Sequence, residues 1–249
     1  MLAASVPVIA PPATGIDPAR LPDVWRGSEL ARSRVPVTAS GHAALDAQLP
    51  GGGWPRSALI ELLLQQPGIG EMQVLQPALR AVAAERPIAL VQPPYVPQAR
   101  AAQAWGIDAE RLLWLRAAKG ADALWAAEQA LKHGACSAVL LWQTEIRAES
   151  LRRLHLAAQT SETLFLVLRP IACAAEPSPA LLRLGLRPAH GGVHVSILKR
   201  RGPSCDDALY VRLPGMPDRR HQPETDHASP VPQRAFAVAA AQRAASVLV

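Results

Sequence analysis

The chain has 249 residues, enough to bury one sizeable hydrophobic core with some length left for terminal segments. Its formal net charge of +6 permits contact with nucleic acid or an acidic partner without requiring either. The cysteines Cys136, Cys173 and Cys205 form no CxxC pair, which argues against a disulfide framework or zinc site and indicates a reducing, cytoplasmic compartment. No apolar run approaches the roughly 20 residues that span a bilayer, so no membrane contact is expected.

Residues 1–36 contain six prolines and are predicted to form a flexible, extended arm rather than a domain. The arm lacks the basic region followed by an apolar core that marks a signal peptide. Trp25 lies within it. Because a tryptophan in a loose segment usually packs against something, Trp25 is a candidate interface residue.

Residues 37–213 are predicted to form one α/β domain. A short extended piece and an amphipathic helix are expected within Val35–Leu49. The turn Gly51-Gly-Gly-Trp-Pro-Arg56 then leads into the first central strand. Trp54, in this turn, is a second candidate for a partner interface.

The segment from Ser57 to Leu75 predicts a buried strand, a glycine turn and the start of a helix, which is the layout of a phosphate-binding loop. A working loop has the form Gly-x-x-x-x-Gly-Lys-Ser/Thr. With Gly70 as its second glycine, the lysine position is Glu71 and the hydroxyl position is Met72. A carboxylate about 4 Å from a phosphate charge would repel it by roughly 4 kcal/mol.

This degenerate phosphate loop comprises Gly68, Gly70, Glu71 and Met72. Its spacing fits two interpretations equally well: a nucleotide-binding fold that has lost its nucleotide, or a plain strand-to-helix turn. Neither interpretation requires a cofactor or a catalytic site.

Further strands alternating with helices predict a mostly parallel sheet flanked by helices. The expected strands are Ile88–Gln92, Leu112–Leu115, Ala138–Trp142 and Thr163–Leu168. The expected helices are Gln98–Trp105, Ala121–His133 and Arg147–Gln159. An antiparallel hairpin, Leu181–Arg187 with Val195–Lys199, is expected at the sheet edge, followed by a last strand within Ala208–Leu213. The tryptophans expected in the core are Trp105, Trp114, Trp125 and Trp142.

Two features near the C-terminus are candidate contact sites. Lys199, Arg200 and Arg201 end a predicted strand, where they either contact DNA phosphates or an acidic partner, or form a solvated basic strand end. Residues 214–249 are predicted to be a disordered tail. The segment Phe236–Val249 within it is a candidate docking helix, with Phe236 as its contact residue.

In chain order, several segments resemble the core of the RecA recombinases: Ser40-Gly-x-x-x-Leu-Asp46, the degenerate loop, Trp105-Gly-Ile-Asp108 and the Lys199-Arg-Arg-Gly202 strand end. The chain is more similar to the ImuA family, RecA-like proteins of the bacterial damage-inducible mutagenesis cassette that are related to the division inhibitor SulA. Residues 21–213 carry this resemblance, in Val24-Trp-Arg-Gly27, Leu49-Pro-Gly-Gly-Gly-Trp54, Pro67-Gly-Ile-Gly-Glu71 and Ile197-Leu-Lys-Arg-Arg-Gly-Pro203.

The departures from RecA agree with one another. Glu71 and Met72 replace the lysine and threonine of its phosphate loop, and Trp142 stands where its magnesium-binding strand ends in an acid. The segment Gln92-Pro-Pro-Tyr95 stands where RecA keeps its catalytic glutamate. The resemblance therefore implies a RecA-like fold without ATP hydrolysis.

The ImuA resemblance implies a non-catalytic accessory protein of the SOS mutasome that supports error-prone translesion synthesis through protein contacts. The implied partners are an ImuB-like homologue of Y-family polymerases and an error-prone replicative-type polymerase subunit, with RecA and DNA as further candidates. The alternatives are a SulA-like inhibitor that binds FtsZ and, less favoured, a RecA-like ATPase.

Overall fold

The structure is a computed structural model that describes residues 36–202 and 207–213. The sequence predictions for residues 1–35, which include Trp25, and for residues 214–249, which include Phe236, lie outside the described residues.

One eight-stranded sheet organises the domain. Its strands are β3 (Ala58–Leu64), β4 (Ile88–Val91), β5 (Leu112–Leu115), β6 (Ala138–Trp142), β7 (Leu164–Pro170), β8 (Leu182–Ala189), β9 (Gly192–Lys199) and β10 (Leu209–Arg212). Their order across the sheet is β10-β9-β8-β3-β7-β6-β4-β5. The six strands from β8 to β5 pair in parallel, and β9 and β10 continue the sheet antiparallel. The mixed α/β fold with a mostly parallel sheet, predicted from the sequence, is confirmed.

Helices cover both faces of this sheet. They are α1 (Ala43–Asp46), α2 (Glu71–Ala83), α3 (Ala99–Ala104), α4 (Gly120–Lys132) and α5 (Ala148–Ala158). Short 3-10 helices span Ala109–Arg111 and Ile171–Ala175, and a small separate pair joins β1 (Val37–Thr38) to β2 (Trp54–Pro55). Among the described helices, none combines the length and apolar character needed to cross a membrane.

The core is divided by the sheet into two apolar layers. Buried side chains of α1 and α2 pack on one face, and those of α4 and α5 pack on the other. All seven residues of β3 are buried. This explains why its sequence is an almost unbroken apolar run: a central parallel strand has no solvent-facing side.

The hairpin predicted at the sheet edge is present but lies further inside. β8 pairs in parallel with β3, β9 returns antiparallel, and β10 forms the outer strand. The hairpin therefore carries β10 as an additional strand, and it brings Arg183 of β8 directly opposite Glu61 of β3.

The tryptophan predictions are partly wrong. Trp142 is buried, but Trp114 is 40% exposed on the outermost strand β5, and Trp125 is 62% exposed on α4. For Trp114 the prediction failed because an apolar sequence does not tell whether a strand is central or at the edge of a sheet.

Candidate functional site

The loop between β3 and α2 has the predicted form of strand, glycine turn and helix. The backbone of Gly68 has φ 84° and that of Gly70 has φ 113°. These left-handed conformations suit glycine, because a side chain would be strained there. α2 begins at the next residue, so the backbone N–H groups of the loop lie at a helix N-terminus.

The carboxylate of Glu71 closes this loop from within. Its Oε1 accepts the N–H of Gly68 at 2.8 Å, and its Oε2 accepts the N–H of Gly70 at 3.2 Å. The residue is 3% exposed. A negative charge in the first turn of a helix is favourable, because the helix dipole is positive there. Met72, the next residue, is partly buried against the core.

The loop after β4 covers the same glycine turn. A Cβ atom built on Gly68 would lie 3.4 Å from Cε2 of Tyr95, so the tyrosine ring lies over this turn. Gln92 begins the covering loop with φ 54°, an unusual value for a residue other than glycine. Its backbone N–H donates to Leu115 at 3.0 Å, and its side-chain amide donates to the carbonyl of Ala117. Gln92 therefore fastens this loop to the end of β5.

A buried ion cluster lies on the other face of β3, and the sequence analysis missed it. The side chain of Glu61 is fully buried, and it accepts hydrogen bonds from Arg169 Nη1 at 3.1 Å and Arg183 Nε at 2.6 Å. The two arginine side chains are 1% and 8% exposed. Burying three charges is tolerable only because each one is paired and hydrogen-bonded.

The arginines also hold the segment after β7. Arg183 donates to the backbone carbonyls of Cys173 at 2.8 Å, Ala174 at 3.0 Å and Glu176 at 3.1 Å. Arg169 donates to the carboxylate of Glu176 at 2.7 Å, and this hydrogen bond lowers the pKa of Glu176. The cluster thus links three strands to the 3-10 helix Ile171–Ala175.

One sequence signal could have indicated this cluster. Glu61 is the single charge in an otherwise apolar predicted strand, and such a position requires a cationic partner if the strand is central. Its partners could not be identified in the same way, because they are 108 and 122 residues away in the chain.

The predicted basic strand end makes contacts within the chain. Lys199 Nζ donates to the carbonyl of Ser178 at 2.9 Å, and Arg200 donates to Gln48 Oε1 at 3.1 Å and to the Gln48 carbonyl. Arg201 is exposed. Lys199 is also exposed, so the end of β9 presents positive charge to solvent. The hydrogen bonds of Arg200 connect this strand end to Gln48, which follows α1.

Trp54 is not the surface residue that its place in a glycine turn predicted. β1 and β2 pair antiparallel with Trp54 opposite Thr38, and the Trp54 side chain is fully buried in the core layer that contains α1 and α2. The pairing turns the ring inward, so Trp54 stabilises the domain and is not available to a partner.

In the described part of the chain, no group of three or more histidine, cysteine or acidic side chains is placed to hold a metal ion. The described geometry therefore defines a class of structure, a mixed α/β domain whose glycine loop is closed by its own carboxylate.

Comparisons with known proteins found partial matches to two SulA proteins. No protein-family model matches the chain. Over 85 residues the chain is 35% identical to a protein named cell division inhibitor SulA from Edwardsiella piscicida. This match covers 32% of the present chain and 51% of that protein, so the chain spans about half the length of this curated relative.

A solved structure of SulA from Pseudomonas aeruginosa is 27% identical to the matched part. The match covers 45% of this chain and 97% of that one, with a TM-score of 0.38. A TM-score of this size does not establish a common fold.

Proposed function

We propose that the chain is a non-catalytic binding protein of the bacterial DNA-damage response, acting through protein contacts. The observation that carries the non-catalytic part of this proposal is the position of the Glu71 carboxylate. It accepts the N–H groups of Gly68 and Gly70, groups of the kind that face phosphate in a nucleotide-binding loop. The loop therefore already holds an anion, one that is part of the chain.

A nucleotide would have to displace this carboxylate. The displaced charge would remain within a few ångströms of the phosphate, where repulsion costs roughly 4 kcal/mol at 4 Å and an effective dielectric near 20. Met72 supplies no hydroxyl for magnesium. The degenerate phosphate loop is thus better interpreted as a structural turn that keeps the strand, glycine turn and helix of a nucleotide site without its function.

The other two positions that differ from RecA support the same proposal. Trp142 ends β6 as a largely buried side chain of the core, and Gln92 is committed to holding the loop that covers Gly68. Neither supplies a carboxylate for magnesium or for activating water. We therefore propose that the chain is not an enzyme and takes no cofactor.

For the partners, we favour the accessory role in error-prone translesion synthesis. It rests on the four ImuA-like segments, which occur in order along residues 21–213. In this role the domain and its terminal segments would contact the ImuB-like polymerase homologue and the replicative-type polymerase subunit, with RecA and DNA as further candidates. The compartment would be the cytoplasm.

The second candidate is a SulA-like inhibitor that binds FtsZ. The 35% identity to a cell division inhibitor over 85 residues favours it. Both candidates are binding functions of a domain without catalysis, so they differ only in the partner.

Co-purification separates them. The full-length chain and a version ending at Leu213 would be co-expressed with the ImuB-like protein, and the same preparations would be added to assembling FtsZ. A stable complex with the ImuB-like protein and unchanged FtsZ assembly would support the accessory role. Inhibited assembly without a complex would replace it with the SulA-like function.

A separate titration tests the non-catalytic class. ATP with and without magnesium would be added to the full chain, and heat of binding would be recorded. We expect no saturable signal at micromolar ATP. Saturable, magnesium-dependent binding would refute the proposal whichever partner is found.

A further inference from the structure

The strands β8, β9 and β10 differ from the rest of the sheet in how their two faces are covered. On one face, alternate residues of these strands belong to the core layer that contains α1 and α2. The buried layer that contains α4 and α5 includes residues of β3, β4, β6 and β7 but none of β8, β9 or β10. The 3-10 helix Ile171–Ala175 lies over the first half of β8, where a Cβ built on Gly185 would meet Ile171 at 3.1 Å. Beyond Gly185 this second face carries exposed side chains.

A row of three side chains crosses the exposed part of this face. Arg187 of β8 pairs with His194 of β9, and His194 pairs with Tyr210 of β10. Because neighbouring strands lie about 4.8 Å apart, the row spans about 10 Å. Arg212 lies two residues after Tyr210 and therefore on the same face. All four side chains are exposed, and we call them the basic-aromatic face.

The ring of Tyr210 is held in one position. Its hydroxyl donates to the carbonyl of His190 at 2.8 Å, and the ring meets that of His194 edge-on with the centroids 5.8 Å apart. A Cβ built on Gly192 would lie 3.0 Å from Tyr210 Cε2, so the ring also packs on the glycine end of the hairpin. The residue is nevertheless 47% exposed. A ring that is already fixed loses little conformational entropy when a ligand stacks on it.

The positive charge of this face is not compensated. β8, β9 and β10 contain no aspartate or glutamate. Within residues 36–202 and 207–213, the guanidinium groups of Arg187 and Arg212 form no ion pair or side-chain hydrogen bond. Arg56 and Arg153, by contrast, are paired with glutamates. Unpaired cations beside an exposed ring match a ligand that offers both negative charge and flat bases.

We propose that the basic-aromatic face binds single-stranded nucleic acid. Arg187 and Arg212 hold phosphates, and a base stacks on the exposed side of the Tyr210 ring. In a duplex the base planes are already stacked on one another, so the face should prefer a single strand. This site is separate from Lys199–Arg201, at the other end of β9. The inference rests on the proposed function in so far as DNA is there a further candidate partner.

Fluorescence anisotropy of the full chain with a labelled oligothymidine of about 20 nucleotides tests this proposal. Arg187→Ala and Arg212→Ala should each weaken binding roughly three- to tenfold and lower the slope of log affinity against log salt by about 0.7, because each removes one phosphate contact. Arg100→Ala is the matched control. It removes an exposed arginine of α3, which precedes β5 at the opposite edge of the sheet, and should bind as the unaltered chain does.

Tyr210 separates stacking from charge. Tyr210→Ala should weaken binding about tenfold without changing the salt slope, since no charge is removed. Tyr210→Phe keeps the ring and should bind nearly as the unaltered chain does. Far-UV circular dichroism of each variant would show that the fold is retained.

Several results would overturn the proposal. They are the absence of saturable binding, an equal effect of Arg100→Ala and the two face variants, and equally tight binding of a duplex of the same sequence length. Displacement of the oligonucleotide by polyglutamate at the same charge concentration would show that the face takes an acidic chain instead. The complex with the ImuB-like protein is measured separately, so a failure here is distinguishable from a failure of the proposed function.

Discussion

Replacing Glu61 by glutamine keeps the shape of the side chain and removes the charge that Arg169 and Arg183 share. Breaking a buried ion pair in this way typically costs about 3–5 kcal/mol, because the remaining charge stays buried without compensation. Here both arginines keep other acceptors: Arg183 bonds three carbonyls, and Arg169 bonds the carboxylate of Glu176. We therefore expect a loss near the lower end, about 3 kcal/mol.

Glu85→Gln is the matched control. Glu85 pairs with Arg56 at 2.7 Å, but its side chain is 45% exposed. The hydrogen bond from Arg56 lowers the pKa of Glu85. Since exposed pairs contribute about 0–1 kcal/mol, the control should lose at most about 1 kcal/mol.

Urea unfolding followed by far-UV circular dichroism at neutral pH measures both changes. With a slope of about 3 kcal/mol/M, the midpoint of Glu61→Gln should fall by about 1 M and that of the control by no more than about 0.3 M. Equal shifts for the two variants would refute the reasoning, because they would show that the buried acid stabilises the fold no more than an exposed one.

Two kinds of titratable group and one tight turn give further expected outcomes. Burial lowers the pKa of His155, so the unfolded chain binds more protons than the folded chain as the pH drops below about 6.5, and the free energy of unfolding should fall there. In His155→Gln the urea midpoint should therefore change less between about pH 7 and 5. Burial raises the pKa of the thiols of Cys136 and Cys173, which lowers their reactivity. In a Cys205→Ser variant, the native protein should therefore react slowly with a disulfide reagent, and the urea-unfolded protein should react rapidly. In Gly53→Ala the new Cβ would lie 2.5 Å from the carbonyl oxygen of Thr38, a contact that should cost about 1–3 kcal/mol and lower the urea midpoint accordingly.

The local sequence pattern was sufficient to predict β3, the glycine turn after it and α2. The apolar run of β3, the glycines after it and the helical spacing of α2 each follow from interactions within a few residues, so the sequence predicts them directly. The alternation of strands and helices also fixes a parallel sheet, because a parallel connection needs a crossover of about that length.

Properties set by strand order could not be predicted in this way. Leu112–Leu115 is as apolar as Ala138–Trp142, yet one is the outer strand and the other is buried at every position. Trp54 shows the opposite case: a residue predicted to lie in a turn is part of the core, and it pairs with the short strand β1. The Glu61 cluster depends on both effects, since its three charges meet only when β7 and β8 lie on either side of β3.

The carboxyl ends of the parallel strands are where α/β proteins usually bind ligands. In this chain the side chains at those ends serve the fold. Glu71 closes the loop after β3, Gln92 fastens the loop after β4, and Trp142 packs where β6 ends. Two of these residues form hydrogen bonds within the chain: the Glu71 carboxylate accepts the N–H groups of Gly68 and Gly70, and Gln92 donates to the carbonyls of Leu115 and Ala117. The proposed partner surface is therefore expected away from these strand ends.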